Sequence, residues 1–302
     1  MTKARVRAPA KINLTLHVTG QRDDGYHLLD SLVVFAPVHD LLEVGFSARG
    51  MTLSVSGPEA AGVPCDDSNL VLRAARLVCD DISVKLTKFL PAASGIGGGS
   101  ADAAAVLRAL LLRGLSLDED QLGARLSHLA AALDLQKLGA DLPMCMMNRP
   151  LRATGIGETL TPVPDLPPLP AVLVNPRKPV STPAVFRAMT RRDNPPMPAH
   201  LPRFADAADL VAFLQTQRND MQPAAEGIEP AVGQVLDALG RLPGCGLARL
   251  SGSGATCFGL FAAATQADLD QMAAEIRAAH PDWWVAPALL GDVSDWGMPR
   301  FS

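Results

Sequence analysis

The chain has 302 residues, 48% of them hydrophobic and 19% charged, enough apolar content for one large or two ordinary domains with a sizeable core. A formal charge of −4 with no Lys/Arg run disfavours a nucleic-acid partner, and no apolar stretch reaches the length of a membrane span. Five cysteines form no CxxC pair and six histidines form no HExxH, so a reduced, cytoplasmic protein without a zinc site is expected.

Residues 11–18, KINLTLHV, alternate. Ile12, Leu14, Leu16 and Val18 take one face and Lys11, Asn13, Thr15 and His17 the other, which predicts a strand with one buried face. Lys11 and Asn13 then lie on one side, roughly 7 Å apart, and on pattern alone that side is an ordinary solvated strand face. The same two residues interrupt any apolar core that a signal peptide would need. A polar turn at 20–25 follows. Tyr26, the only tyrosine, stands beside His27; such a pair can stack on a base or close a core edge. Strands are predicted at 31–36, 40–46 and 51–56, a helix over 70–78 after Ser68 and Asn69, and a strand where Ile82, Val84 and Leu86 alternate.

Residues 90–112, LPAASGIGGGSADAAAVLRALLL, are the most unusual stretch. Pro91 opens it, and Gly95, Gly97, Gly98 and Gly99 crowd together ahead of Ser100 and Asp102. Ser100 is a natural N-cap and the Ala/Leu run after it a strong helix former, apolar nearly all round and therefore buried. A glycine loop feeding a helix N-terminus aims bare N–H groups and a positive dipole end at one spot, a ready site for phosphate. No Lys follows the last glycine, so it is not a Walker loop, and neither glycine spacing completes a dinucleotide fingerprint. The bland reading is a flexible turn before a core helix.

Gly114 ends that helix, and Ser116 with Glu119 forms a capping box for another through about residue 133. The order of strands, helix, strand, loop and helices argues for α+β and against a repeating βαβ sheet. In KLGADLPMCM, Asp141 stands alone between small and apolar residues. It reads either as a turn or helix-end aspartate or as a functional carboxylate. Gly155, Ile156 and Gly157 make a turn, PVPDLPPLP over 162–170 a connector, and the domain boundary is placed there, giving domains 1–155 and 156–302. Beyond it come a strand at 171–175, the segment PRKPVSTPAVF, an exposed Pro/Arg-rich loop at 191–205, a helix over 229–239 ended by Gly240, and a strand at 247–250. Then SGSGATCFGLF forms a second glycine loop, or simply a hairpin turn, into a strand through Phe261, followed by a helix over 265–279 and a strand at 283–288. This half is compatible with a ferredoxin-like unit.

The pattern PxxxGxGGGSxDAA over 91–104 resembles the phosphate loop of the galactokinase–homoserine kinase–mevalonate kinase–phosphomevalonate kinase (GHMP) superfamily. QRNDMQ at 217–222 resembles its Asn-Asp stretch opening a helix, and SGSGATCFGLF its third motif. The start, PAKINL over 9–14, and GYH over 25–27 are similar to one family within it, the 4-diphosphocytidyl-2-C-methyl-D-erythritol kinases. The chain departs from many relatives at Ala93, Ser94 and Ala101.

The resemblance implies a two-domain α+β fold, with an N-terminal ribosomal-protein-like nucleotide domain and a C-terminal ferredoxin-like domain. It implies ATP as co-substrate, wrapped by Pro91, Ala92, Ala93, Ser94, Gly95, Ile96, Gly97, Gly98, Gly99, Ser100 and Ala101. It implies Mg²⁺ with Ser100 as its protein contact, Asp141 as catalytic base and Lys11 as its partner. Asn13, Tyr26, His27, Thr182 and Phe186 would hold a small-molecule alcohol carrying a cytidine diphosphate. Another sugar-alcohol or mevalonate-type kinase is the alternative enzyme, against which GYH speaks. A nucleotide-binding module without activity is the other alternative, and such a binder needs neither Lys11 nor Asp141.

Overall fold

Two sheets carry the chain in this computed structural model, which describes residues 2–46, 48–113 and 135–302. Gly114 and the helix expected from Ser116 and Glu119 lie outside the described residues. The first sheet takes β1 (Lys3–Asn13), β2 (His17–Gln21), β3 (His27–Gly45), β4 (Met51–Ser56), β5 (Ile82–Thr87), β6 (Leu151–Gly155) and β7 (Thr159–Pro162). β3 is its spine. One half of β3 pairs with β1 and β5, the other with β2 and β6, and only β4–β5 is parallel. The second sheet takes β8 (Leu169–Asn175), β9 (Cys245–Leu250), β10 (Cys257–Phe261) and β11 (Trp284–Leu290), all antiparallel in the order β11-β8-β10-β9. That is the strand order of a ferredoxin-like unit. A last short strand, β12 (Arg300–Phe301), returns to pair with β1.

Two expected strands, 31–36 and 40–46, are one strand of 19 residues. Pro37 does not break it because the register jumps there, from Pro9 opposite His39 to Ala10 opposite Ala36. Proline's missing donor therefore falls in a bulge, where no ladder bond is lost. The expected split at residue 155 falls at the turn of the β6–β7 hairpin, which belongs wholly to the first sheet. The loop at 191–205 is not simply exposed. Met197 is 2% exposed, its N–H donates to Asp30 at 2.9 Å, and Arg152 chelates Asp30 while donating to the carbonyls of Met197 and Pro198.

The helices are α1 (Leu70–Ala75), α2 (Gly98–Leu111), α3 (Leu142–Met147), α4 (Thr182–Ala188), α5 (Ala207–Gln215), α6 (Gln222–Ile228), α7 (Ala231–Gly240) and α8 (Gln266–Ala279). Among the described residues no helix is long and apolar enough to cross a membrane. α2 is buried across residues 101–109 and packs against β1, β3, α1 and α3. Its N-cap is Gly97, at φ 69°, and not Ser100, which lies inside the first turn. A left-handed residue at 97 turns the chain into the helix earlier than any hydroxyl cap would, and glycine takes that conformation without a Cβ penalty.

Candidate active site

The expected strand over 11–18 is two strands, and its polar face is not solvated: Lys11, Asn13, Thr15 and His17 are all 5% exposed or less. Burial comes from elements far along the chain. The Lys11 N–H donates to Ile96 O at 2.9 Å, and the Asn13 N–H donates to Ser251 Oγ at 3.1 Å. Glycine loop and second sheet therefore close over the end of β1. A cavity of about 1020 Å³ opens there, lined by β1, both glycine loops, the start of α3, the Tyr26–His27 corner and α4.

The Lys11 ammonium is aimed by a chain of polar side chains. Ser31 donates to Thr15 O at 2.6 Å and so meets the Asn13 Nδ2 donor as an acceptor, at 2.7 Å. Asn13 must then present Oδ1 to Lys11 Nζ, 2.7 Å away. On its other side Lys11 Nζ lies 3.1 Å from Asp141 Oδ2, with the lysine side chain 5% and the aspartate 36% exposed. Asp141 is the N-cap residue of α3, but its carboxylate makes no cap bond, and it faces the cavity instead.

The loop meets this pair closely. A Cβ on Gly97 would lie 3.3 Å from Lys11 Cε and 3.7 Å from Asp141 Oδ2, so the loop packs closely on this pair, and the positive φ favours glycine there. Gly95 touches the second glycine loop: a Cβ there would lie 2.8 Å from Gly254 N and collide with Ser251 O. Thr256 N donates to Ser94 O at 3.0 Å, and Ser251 Oγ donates to Gly95 O at 3.2 Å. The second loop is thus no plain hairpin turn; it buttresses the first.

Of the expected loop residues, Ala93, Ser94, Gly95, Gly97, Gly98, Gly99 and Ser100 line the cavity, whereas Pro91, Ile96 and Ala101 are turned into the interior and Ala92 faces solvent. At the far end His27 stacks on Phe186, ring centroids 4.0 Å apart and planes 11° from parallel. Burial and the nearby Arg192 charge hold the His27 imidazole below its usual pKa, and its Nε2 is buried without a partner among the described residues. Tyr26 stands at the rim, 60% exposed. Thr182 Oγ1 lies 2.7 Å from Ser253 Oγ, joining α4 to the second loop.

Sequence reasoning missed Ser31, for which no local signal exists, and it singled out the second glycine loop without giving Ser251 or Ser253 a role. It also missed a buried trio under the loop, Asp40, Lys88 and Asp102. There a signal was present: Asp102 is a lone carboxylate in an alanine run. Burial pushes the Asp102 carboxyl up, against the pull of the Lys88 charge.

Bare helix N–H groups offer an anion site, a carboxylate beside it can take a proton, and an ammonium between them can neutralise developing charge. Two α+β units closing on a glycine-lined cleft with this trio of functions define a small-molecule kinase. Residues 69–149 match the GHMP kinases N terminal domain and residues 200–282 the GHMP kinases C terminal domain. Relatives named 4-diphosphocytidyl-2-C-methyl-D-erythritol kinase are 54% identical in Dinoroseobacter shibae, over 94% of this chain and 93% of that one, and 52% identical in Roseobacter denitrificans, over 98% and 97%. A crystal structure of 4-(cytidine 5'-diphospho)-2C-methyl-D-erythritol kinase superposes with a TM-score of 0.72 at 32% identity, covering 95% of this chain and 99% of the other. The chain belongs to the 4-diphosphocytidyl-2-C-methyl-D-erythritol kinase family of the GHMP kinases.

Proposed function

We propose that the protein transfers the γ-phosphoryl group of ATP to the 2-hydroxyl of 4-diphosphocytidyl-2-C-methyl-D-erythritol, a step of the non-mevalonate route to isoprenoid precursors. The observation that carries this reading is the Lys11–Asp141 pair, 3.1 Å apart at the mouth of the glycine loop. Phosphoryl transfer depends on positioning and charge neutralisation more than on covalent work by the protein. The N–H groups around Gly97, Gly98, Gly99 and Ser100 cradle the phosphates. Asp141 accepts the proton of the attacking hydroxyl, and Lys11 orients Asp141 and stabilises charge on the moving phosphoryl group. Asn13 holds the acceptor alcohol as well as Lys11. Tyr26, His27 and Phe186 grip the cytosine, and Thr182 closes the acceptor side.

Mg²⁺ accompanies ATP in this reading. Among the described residues no group of three His, Cys, Asp or Glu could hold a metal by itself. The Ser100 hydroxyl, which lines the cavity, would contact it while the phosphates supply the other ligands. Bound there it would neutralise phosphate charge. The first sheet and its helices hold the nucleotide, and the second sheet supplies the buttress loop and α4. All five cysteines are free, in keeping with a reduced cytoplasmic setting.

A coupled assay for ADP release tests the proposal. ADP should form rapidly with the cytidylylated alcohol and slowly without it. Equal rates with mevalonate or homoserine would favour another kinase of the superfamily, and no turnover with any acceptor would favour a nucleotide binder.

A further inference from the structure

Lys88, Phe89 and Leu90 lead into the glycine loop, and Asp102 stands just beyond it in α2. Their contacts converge on Asp40 of β3. Lys88 Nζ donates to Asp40 Oδ2 and to Asp102 Oδ2, the latter at 2.7 Å. Asp40 Oδ1 accepts the N–H groups of Phe89 at 2.6 Å and Leu90 at 2.9 Å. The entering stem of the loop is thus pinned to Asp40, and Lys88 ties it to the leaving stem at Asp102 by a buried ion pair, with no side chain of the trio more than 3% exposed. None of the three lines the cavity, so they can reach a ligand only through the loop. Lys88 also lies under the loop's turn into the helix: a Cβ on Gly98 would lie 3.5 Å from its Nζ.

Stability is a poor explanation for this arrangement. Taking three charged groups out of water offsets most of their attraction, and apolar replacements of similar volume are often as stable. What an apolar cluster would not supply is direction. Hydrogen-bonded charges fix the stems to within a bond length, and a loop fixed beforehand need not be ordered when its ligand arrives.

We propose that Lys88, Asp40 and Asp102 are positioning residues for phosphoryl transfer, a buried clasp that holds the neck of the glycine loop in its phosphate-accepting shape before nucleotide binds. The proposal rests on the reading of this loop as the ATP phosphate cradle.

The test removes the clasp while keeping the volume: Asp40→Asn with Lys88→Met and Asp102→Leu. The amide oxygen introduced at position 40 still accepts from the N–H groups of Phe89 and Leu90, so only the tie across the neck is lost. The milder Asp102→Asn keeps the shape and a hydrogen bond but weakens the ion pair. ADP affinity is measured by calorimetry, the KM of each substrate by steady-state kinetics, and amide hydrogen exchange over 91–101 with and without ADP. The triple variant should lose ADP affinity by about tenfold or more, the effect of ordering roughly one further residue on binding. The KM for ATP should rise by a similar factor while that for the acceptor holds. Exchange over 91–101 should quicken, and saturating ADP should restore protection. Asp102→Asn should move the same quantities in the same direction by less, and it decides alone if the triple variant does not fold.

Folded variants with unchanged ADP affinity and unchanged exchange would overturn the clasp, whatever their melting temperatures. Gly99→Val, run in parallel, separates the two levels. A first side-chain carbon there meets only Leu70, at 3.7 Å, and both residues line the cavity, so the added bulk enters the cavity and leaves the clasp alone. If Gly99→Val also leaves ADP binding intact, the phosphate-loop reading has failed. If it alone loses ADP, the loop reading stands and the clasp falls.

Discussion

Replacing Asp141 with Asn keeps the shape of the side chain and removes its ability to accept a proton. Little stability should go with it. Asp141 is more than a third exposed, so its ion pair with Lys11 is screened and worth at most about 1 kcal/mol. Lys11 keeps its 2.7 Å bond to Asn13 and stays aimed. The loop does not depend on Asp141, because Gly97 is held from the Lys11 side and the second loop pins Gly95. Melting temperature and ADP affinity should therefore hold near wild type. The lost base should lower kcat by about 10²–10⁴-fold, a barrier increase of about 3–5 kcal/mol. Lys11→Met should also be severe. The double variant should fall far short of the product of the two losses, since groups acting on one proton transfer behave as a unit. Single-turnover and steady-state kinetics with the cytidylylated acceptor supply the numbers. If Asp141→Asn turns over within tenfold of wild type, the assignment of the base is wrong.

Tyr26→Ala should raise the KM for the acceptor by the worth of one stacked ring, about 1–3 kcal/mol, and leave the KM for ATP alone; a change mainly in ATP would place the rim residue at the other end of the site. Arg152→Ala leaves Asp30, 3% exposed, without its guanidinium. This should cost about 3–5 kcal/mol in denaturant unfolding and release the segment around Met197 to proteolysis; an unchanged unfolding midpoint would refute this anchoring. His17 has its pKa lowered by burial, then by the Arg218 charge. The folded protein therefore binds fewer protons there than the unfolded chain, and its share of the stability is lost as pH falls from about 6.5 through the lowered folded value. Melting temperatures should drop between pH 7.5 and 5.5, and the drop should shrink in His17→Gln.

The glycine loop was legible because its residues answer to the backbone alone. Positive φ at Gly95 and Gly97 leaves few alternatives to glycine, and a bare alanine run leaves few to a buried helix. Asp141 stood out because an unpartnered carboxylate is costly in an apolar stretch. The ferredoxin-like half was readable from its element order. The buried state of Lys11 and Asn13 was not, since the groups that cover them are residues 95–97 and 251, far away in the chain. Of the clasp only Asp102 could be noticed, as a lone carboxylate in an alanine run; its company with Lys88 and Asp40 arises because β3 and α2 pack together. Ser100 misled as a cap because a left-handed glycine starts the helix before a hydroxyl is needed.

Arg108 of α2, fully buried, has no carboxylate beside it among the described residues. Its guanidinium donates to Arg7 O at 3.0 Å, Cys145 O at 2.6 Å and Gly297 O at 2.9 Å. These acceptors span nearly the whole sequence, and Arg300 with Phe301 completes the edge of the sheet on which β1 lies. The nucleotide-side unit is consequently complete only once these C-terminal residues have joined it. Until synthesis passes residue 297, one face of a buried cation lacks its acceptor and β1 keeps an open edge. The half that is made first is finished last, and the incomplete chain carries an exposed sheet edge through most of its translation.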